Sequence, residues 1–528
     1  MRELLVHEVL SDTVHRGATG EIVYGSVRLT YPQLYERVLR LADSMRKLGV
    51  GRRSVVGVMD INSHRYLELH YATAMLGAVI LTINFRLPAE DIFYTVQHSG
   101  AEWLFVWEGF KEALGGARPR FRNWVWLTEG DRSPEEGTPI YEELIHNGNV
   151  QVPDEASQVT ETDAYSVFYT TGTTGRPKGM LYRHRDLLLA SLGILHHLAL
   201  HPTGASVQST DVFMPLIPFF HIHAWGTAFY VPYLGAKLVL AGRATPAEQL
   251  QLILREGVTW SNMVPTQIHM LLEAAEQAGV ENLRGYKVLT GGSPLPSGLA
   301  RRAVERGIGY SVIYGGSDQL ATAISVVPPG VQLGSPEAWE RLRSELPPLG
   351  MVEIKVVDEG GKELPRDGAS IGEVMVRSPW LPQGYYKDPE LSREAYVDGW
   401  FRTGDLGIIT PSGALRVMDR QKDAVKSGGE WIPTSVVEAL ISEHPAVASV
   451  AVIAQPDQRW GERPVAIVQP RGSVTEQSIR TFLEEAVRAG RMARFWLPDR
   501  VVFVNQMPLT SAGKINKALL RSEFGSAS

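Results

Sequence analysis

The sequence predicts an α/β protein: a large multi-layered N-terminal body with mostly parallel sheets, plus a small mobile α+β C-terminal lid domain. Three observations carry this. Strand and helix patterns alternate as far as about residue 310, as parallel sheets covered by helices require. The last hundred residues form a compact strand–helix set of their own. Between the two lies the polar stretch Asp419–Gly429, DRQKDAVKSGG, the best linker candidate in the chain. A chain of 528 residues holds about three or four domain-sized units, so a small single-core binding module is excluded.

The first clear helix is expected from about Tyr31 to Leu48. Leu34, Val38, Leu41, Ala42, Met45 and Leu48 fall on one face, and Thr30 with Gln33 fits a capping box. Gly49 and Gly51 close it, and the apolar run Ser54–Met59 reads as a strand. In the last hundred residues Thr434 is expected to cap a helix through about Glu443. Strands follow at Val447–Ala454 and Pro464–Val468, a helix at Glu476–Ala489, and a strand at Arg500–Val504. No 20–50-residue repeat and no low-complexity tract is visible.

Hydrophobic residues make up 44% and charged residues 21%, a globular composition that excludes wholesale disorder. Lys and Arg number 52 against 58 Asp and Glu, a net charge of −6, the wrong sign for a protein whose main task is gripping nucleic acid. The chain has no cysteine, which removes disulfide frameworks, thiolate zinc sites and cysteine nucleophiles, and permits a reducing compartment. Met1–Glu8 lacks the apolar core of a signal peptide. Val212–Ala236 carries no formally charged residue and is long enough to span a bilayer. Its three prolines (Pro215, Pro218, Pro232) and two histidines (His221, His223) argue instead for a buried, pocket-lining segment. A soluble, cytoplasmic protein is expected.

The chemistry concentrates in Tyr169–Met180, YTTGTTGRPKGM. Glycines let a backbone curl until its N–H groups converge on an anion, threonine hydroxyls add donors, and Lys178 supplies a full positive charge. A polyphosphate needs such a loop. The spacing is not that of a Walker A loop: five residues beyond Gly172 stands Pro177, and beyond Gly175 stands Met180.

This segment resembles the signature loop of the adenylate-forming superfamily, which includes acyl-CoA synthetases, peptide-synthetase adenylation domains and beetle luciferase. Further motifs like the family's follow in its order: LTGGSPLP (Leu289–Pro296), YGGSD (Tyr314–Asp318), GEVMVRSPWLPQGYYKDPE (Gly372–Glu390), WFRTGDLG (Trp400–Gly407), DRQKDAVKSGGEWI (Asp419–Ile432) and PLTSAGKINK (Pro508–Lys517). They appear in that order across almost the whole chain, and as a set they are highly specific.

The resemblance implies ATP, Mg²⁺ and CoA as cofactor and co-substrates. It places ATP and AMP against Thr170, Thr171, Gly172, Thr173, Thr174, Gly175, Gly291, Gly292, Ser293, Tyr314, Gly315, Ser317, Asp405 and Arg420, with Asp405 on the ribose and Tyr314 on the adenine. Asp318, with Thr173 as a further candidate, falls at the magnesium position. The family usually has Thr-Glu there, and the shorter Asp318 puts direct coordination in doubt and makes a water-bridged contact a natural alternative. Lys178 would serve the β/γ end of ATP. Lys514 would serve the attacking end, where two anions meet and need a second cation. Lys422 takes the hinge position within a linker 420–422, between a body 1–419 and a lid 423–528. Ser427, Gly428 and Gly429 resemble the loop that lines the thiol channel.

PFFHIHAW (Pro218–Trp225) matches the family's substrate-lining motif. No carboxylate lies between Asp211 and Lys237 to pair an amino acid's ammonium, which disfavours a peptide-synthetase role. Phe219, Phe220 and Trp225 suit an apolar acyl chain, and His221 joins Lys514 and Lys178 as a catalytic candidate. The wording INFRL (Ile83–Leu87) and KSGGEWI (Lys426–Ile432) most resembles bacterial medium- or long-chain fatty acyl-CoA synthetases, in which an aromatic at the place of Trp225 gates the acyl tunnel. The implied partners are small molecules (fatty acid, ATP, CoA), with no nucleic acid and no transmembrane segment; peripheral membrane contact and a homodimer are compatible. The rivals are a carrier protein as acceptor, an aryl acid as substrate, or an inactive nucleotide- or lipid-binding homologue. Two other matches fail on their chemistry. Gly368–Gly372 fits G-x-S-x-G but precedes a strand-like run instead of following one. His221 and His223 alternate as on one strand face but lack the further ligands zinc requires.

Overall fold

A computed structural model of the chain describes residues 3–114, 123–130, 132–170, 176–509 and 515–525. The described residues form four sheets. The largest has eight strands in the spatial order Leu320–Ile324, Gly309–Gly316, Lys287–Gly291, Trp260–Met263, Val212–Phe213, Lys237–Leu240, Glu21–Tyr24, Val27–Thr30. Its inner pairs are parallel and the outermost pair at each edge is antiparallel. A six-stranded sheet runs Trp124–Leu127, Trp103–Trp107, Val55–Met59, Val79–Thr82, Ala164–Thr170, Lys178–Arg183, and is parallel except for its last pair.

The chain opens on a helix that the sequence reading does not anticipate, Val6–His15; the expected helix follows as Tyr31–Lys47, with both halves of the Thr30/Gln33 capping box formed and Leu34, Val38, Leu41, Ala42 and Met45 buried. Helix His64–Met75 is different: it packs on strands of both large sheets and is buried at every position. Its charged residues are therefore paired inside, with Glu68 accepting from Arg37 Nε at 2.7 Å. A helix buried all round shows no amphipathic stripe.

The uncharged stretch Val212–Ala236 is divided into a two-residue strand, a short turn and the eight-residue helix Thr227–Leu234. Among the described residues no helix is long and apolar enough to cross a membrane.

Residues 353–420 form an antiparallel sheet of five strands, Glu353–Val357, Gly372–Arg377, Trp400–Ile409, Tyr396–Val397 and Leu415–Arg420. Ile354, Val356, Val374, Val376, Ile409 and Leu415 join it to the main core. The last sheet, Glu430–Ile432, Val425–Ser427, Gly461–Pro470, Val447–Asp457 and Arg500–Phe503, is buried on both faces. Val450 and Val452 pack with Ile479 and Leu483 on one side; Ala451 and Ile453 pack with Met507 and Leu520 on the other, the two-residue alternation a strand imposes. Helix Thr434–Ser442 begins at Thr434 itself, so this threonine is not the cap: its hydroxyl donates to Asp419 Oδ2 at 2.6 Å. This smaller unit touches the body where Ser297 Oγ donates to Glu443 Oε1 at 2.7 Å and where Lys426 pairs with Glu359.

Candidate active site

One parallel strand pair and three antiparallel pairs bring the predicted residues together. Strand Lys287–Gly291 ends beside strand Gly309–Gly316, with Gly291 opposite Ile313. A Cβ on Gly291 would lie 2.6 Å from the Ile313 carbonyl oxygen, so only glycine lets the strands approach here. Gly292 follows with φ +79°, and Ser293 is exposed just beyond.

Tyr314 sits at an irregularity in the pairing of its strand with Leu320–Ile324, and its hydroxyl donates to Asp405 Oδ2 at 2.7 Å. Asp405 lies on strand Trp400–Ile409 directly opposite Arg420, and Arg420 Nε donates to the other oxygen, Oδ1, at 3.1 Å. Opposite charges placed across a strand pair attract at close range. The carboxylate is buried, 6% exposed, and burial pushes its pKa up against the opposing pull of Arg420 and the Tyr314 hydrogen bond. Each carboxylate oxygen keeps a lone pair for a further donor.

Ser317 and Asp318 are held by three tyrosines. Tyr182 donates to the Ser317 carbonyl at 2.7 Å, Tyr396 to the Asp318 carbonyl at 2.9 Å, and the Tyr385 hydroxyl is 3.4 Å from Asp318 Oδ2. Lys178 opens strand Lys178–Arg183 opposite Thr170, and its ammonium lies 5.4 Å from the centre of the Tyr385 ring, within cation–π reach. Tyr385 thus draws Lys178 and Asp318 to one place. Of the twelve-residue segment expected to be a loop, Tyr169, Thr170 and Lys178–Met180 belong to paired strands. Residues 171–175, which include Thr171, Gly172, Thr173, Thr174 and Gly175, lie outside the described residues, as does Lys514.

The Asp318 carboxyl is pushed above its ordinary range by burial and by the negative charge of Asp405, with Arg420 opposing. A divalent cation beside it would relieve that penalty, so the site fits Mg²⁺. Among the described residues no group of three or more His, Asp or Glu is assembled to hold a metal.

An apolar cavity of about 540 Å³, counting its open mouth, adjoins this recess. Leu187, Ile194, Trp225, Phe229 and Leu320 line it, together with His221 and the glycines 292, 315 and 316. Phe219 and Phe220 do not line it. Phe219 is fully buried against Tyr66 and His70, with ring centres 5.6 and 5.8 Å away, and Phe220 packs edge-on to Phe85 at 4.9 Å.

A turn that the sequence pattern does not reveal follows them. Ile222, His223, Ala224 and Trp225 are all left-handed, with φ between 49° and 56°, a conformation that costs about 1–2 kcal/mol per non-glycine residue. The turn separates the two histidines. His221 stays exposed at the cavity, whereas His223 is buried with Nε2 2.9 Å from Ser166 Oγ, and burial lowers its pKa to about 3.

In the C-terminal unit, Ser427 and Glu430 pair across Gly428 and Gly429, whose φ values are +59° and +90°. Two successive positive φ values make the tight hairpin turn for which Gly-Gly is suited, so the pair has a structural reason of its own. Ser427 is buried and accepts from Arg463 at 3.1 Å. Burial, with the nearby Arg420 charge, lowers the Lys422 pKa. Ser370 lies in a turn where its hydroxyl donates to Asp367 at 2.7 Å, not at a strand-to-helix elbow.

Two large, mostly parallel sheets, a five-stranded sheet joined to their core and a further C-terminal sheet with its own apolar clusters define an α/β protein. The family described as AMP-binding enzyme matches residues 12–386, and the AMP-binding enzyme C-terminal domain matches residues 436–514. The chain belongs to the AMP-binding enzyme family. It is 35% identical to a long-chain-fatty-acid–CoA ligase of Thermus thermophilus over 97% of this chain and 92% of the relative. It is 33% identical to a medium-chain-fatty-acid–CoA ligase of Ectopseudomonas oleovorans over 94% of this chain and 91% of the relative. The crystal structure of the anthranilate CoA ligase AuaEII in complex with anthranoyl-AMP shares the fold, with a TM-score of 0.85 at 24% identity over 99% of this chain and 97% of that one.

Proposed function

We propose that the protein is an AMP-forming acid–thiol ligase that activates a medium- or long-chain fatty acid with ATP and transfers it to CoA. The observation that carries this reading is the junction of the two sites: Gly292, Gly315 and Gly316 line the apolar cavity and flank the residues that face the nucleotide. A carboxylate whose chain fills the cavity would therefore emerge beside the α-phosphate.

In the first half-reaction a carboxylate oxygen bonds to the α-phosphorus and the bond to the bridging oxygen of pyrophosphate breaks. Asp405 accepts from the ribose hydroxyls, held in place by Tyr314 and Arg420, and the glycines at 291 and 292 admit the adenine. Lys178 meets the β/γ-phosphates and Lys514 the attacking end. Mg²⁺, when bound by Asp318 directly or through water, neutralises phosphate charge. In the second half-reaction the CoA sulfur bonds to the acyl carbon and AMP leaves.

The two half-reactions call for two placements of the lid, 423–528, about a hinge at 420–422 that includes Lys422. The separate apolar clusters of the C-terminal unit support that division. Ser427, Gly428 and Gly429 would line the thiol channel, and His221 would stand near the reacting carboxylate. A cytoplasmic location is compatible with the absence of cysteine.

The test is pyrophosphate release from ATP and Mg²⁺ over straight-chain acids from acetate to stearate plus benzoate and coumarate, with and without CoA. Sustained turnover on fatty acids only with CoA is expected. A single stoichiometric burst even with CoA would assign a different acceptor.

A further inference from the structure

We propose that the left-handed turn Ile222–Trp225 sets the acyl-chain limit of the cavity, and that Asn262 is the positioning residue that holds this turn in place. The proposal rests on the fatty-acid reading above and deepens it.

Asn262 is fully buried at the end of a central strand of the large sheet. Its Nδ2 donates to the Ala224 carbonyl, in the middle of the turn, at 2.7 Å. Its Oδ1 accepts from the N–H groups of Leu216 and Ile217, both at 3.1 Å. One side chain therefore ties the turn to the segment that leads into it. The Ala224 carbonyl receives a second donor, Thr227 Oγ1, at 3.0 Å, and the His223 ring is tied to Ser166.

These contacts matter because four successive left-handed residues do not persist unaided; the surroundings must over-determine them. The residue that follows Ala224 is Trp225, whose indole lines the cavity. A Cβ on Gly291 would be 3.3 Å from its Cη2, so the ring is also seated against the strand end that leads to the nucleotide recess. Released from Asn262, residues 222–225 can return to right-handed or extended conformations. That moves Trp225 and changes the length of the space it bounds. Asn262 does not line the cavity and acts only through the backbone of the turn.

The test compares wild type with Asn262→Ala and Thr227→Val, reading kcat and KM separately for pyrophosphate release across the straight-chain acids, with thermal unfolding alongside. The Thr227 change removes one donor to the Ala224 carbonyl at nearly constant volume and keeps the test intact if Asn262→Ala does not fold. The expected result is a change in the order of preference: the ratio of kcat/KM for the longest acid accepted to that for the best wild-type acid shifts by roughly tenfold, the scale one methylene commands in an apolar pocket. The shift should be smaller for Thr227→Val. An equal loss at every chain length, or an unchanged profile in folded variants, overturns the proposal. A wild type that releases no pyrophosphate with any acid overturns the functional reading itself, and the inference with it.

Discussion

Removing one oxygen atom, in Tyr314→Phe, tests the proposed ribose site most directly. The Tyr314 hydroxyl donates to Asp405 Oδ2 at 2.7 Å, while Arg420 holds Oδ1 at 3.1 Å. The variant leaves the ring, the strand and Arg420 in place, so the carboxylate stays but loses one of its two side-chain anchors. A hydrogen bond to a charged group is worth about 1.5–3 kcal/mol, which at about 1.4 kcal/mol per tenfold sets an upper range of roughly 10- to 150-fold. A second effect runs the same way. Burial already pushes Asp405 up, and the Tyr314 hydrogen bond is one of the influences opposing that rise; its loss favours the protonated form, a weaker acceptor. The expected outcome is a KM for ATP raised within that range, read by ATP–pyrophosphate exchange. The KM for the fatty acid should change little, because Tyr314 is not among the residues lining the apolar cavity. Repeating the assay with 2′-deoxy-ATP isolates the ribose contact: the wild type should lose affinity, and the gap between wild type and variant should narrow. A KM for ATP unchanged within about twofold, or an equal penalty with both nucleotides, would refute the reasoning that Tyr314 acts by presenting Asp405 to the ribose.

Lys514→Ala should slow adenylate formation by about 10²–10³-fold, the scale for removing one preorganised charge-stabilising group, yet leave conversion of supplied acyl-adenylate and CoA to thioester. Gly429→Trp should do the reverse; both variants losing both half-reactions equally while folded would remove the two-placement lid. Gly291→Ala forces a Cβ to 2.6 Å from the Ile313 carbonyl, and the displaced strand end should lower adenylation by about 10²-fold, as a misplacement near 1 Å does; wild-type exchange rates would show that the close approach is not needed. Stability should fall as pH drops below neutrality. Burial holds His7 and His197 at about 4 and His184 and His223 at about 3. Each stays neutral when folded but takes a proton when unfolded below about 6.5. Each such group therefore costs about 1.4 kcal/mol per pH unit between those limits. The urea midpoint should slide down from pH 7 to pH 5, and a constant midpoint would contradict it.

What the sequence reveals of this site is what lies close together along the chain. The Tyr314–Asp318, Trp400–Gly407 and Asp419–Gly429 segments are legible through their resemblance to the family's motifs, and by its residues alone Asp419–Gly429 reads only as a flexible linker. Gly428 and Gly429 are a clear case, since two positive φ values in a tight hairpin demand them whatever else they do. The same locality explains helix Tyr31–Lys47, whose one buried face is written at helical spacing. It also explains why helix His64–Met75 is not legible: packed on both large sheets, it has no exposed face to set a period. The tyrosines 182 and 396, which fix Ser317 and Asp318, come from strands 135 and 78 residues away in the chain and carry no motif of their own. Tyr385 does stand in a motif, GYYKDPE, but its contact with both Lys178 and Asp318 depends on the sheet pairing that joins their segments.

The apolar wall shows how a backbone conformation can defeat a sound residue-level argument. The composition of Pro218–Trp225 correctly suggests a pocket-lining segment. Strand-like alternation would then place positions 219, 221, 223 and 225 on one face. The left-handed turn breaks that alternation after His221. Phe219 goes into the core against Tyr66 and His70, His223 goes to Ser166, and of these four positions His221 and Trp225 reach the cavity, joined by Ile222. Nothing in the local sequence announces four such residues in a row, since isoleucine and tryptophan are among those that resist the conformation. The determinant lies elsewhere, in a buried asparagine at position 262 with three hydrogen bonds to backbone groups of this segment. A polar side chain on a central strand is the sequence signal that points to it, because burial without partners is costly and the partners must then be sought in the fold. The shape of the cavity is thus set by a residue outside it, and substrate range is expected to follow Asn262 as closely as it follows Trp225.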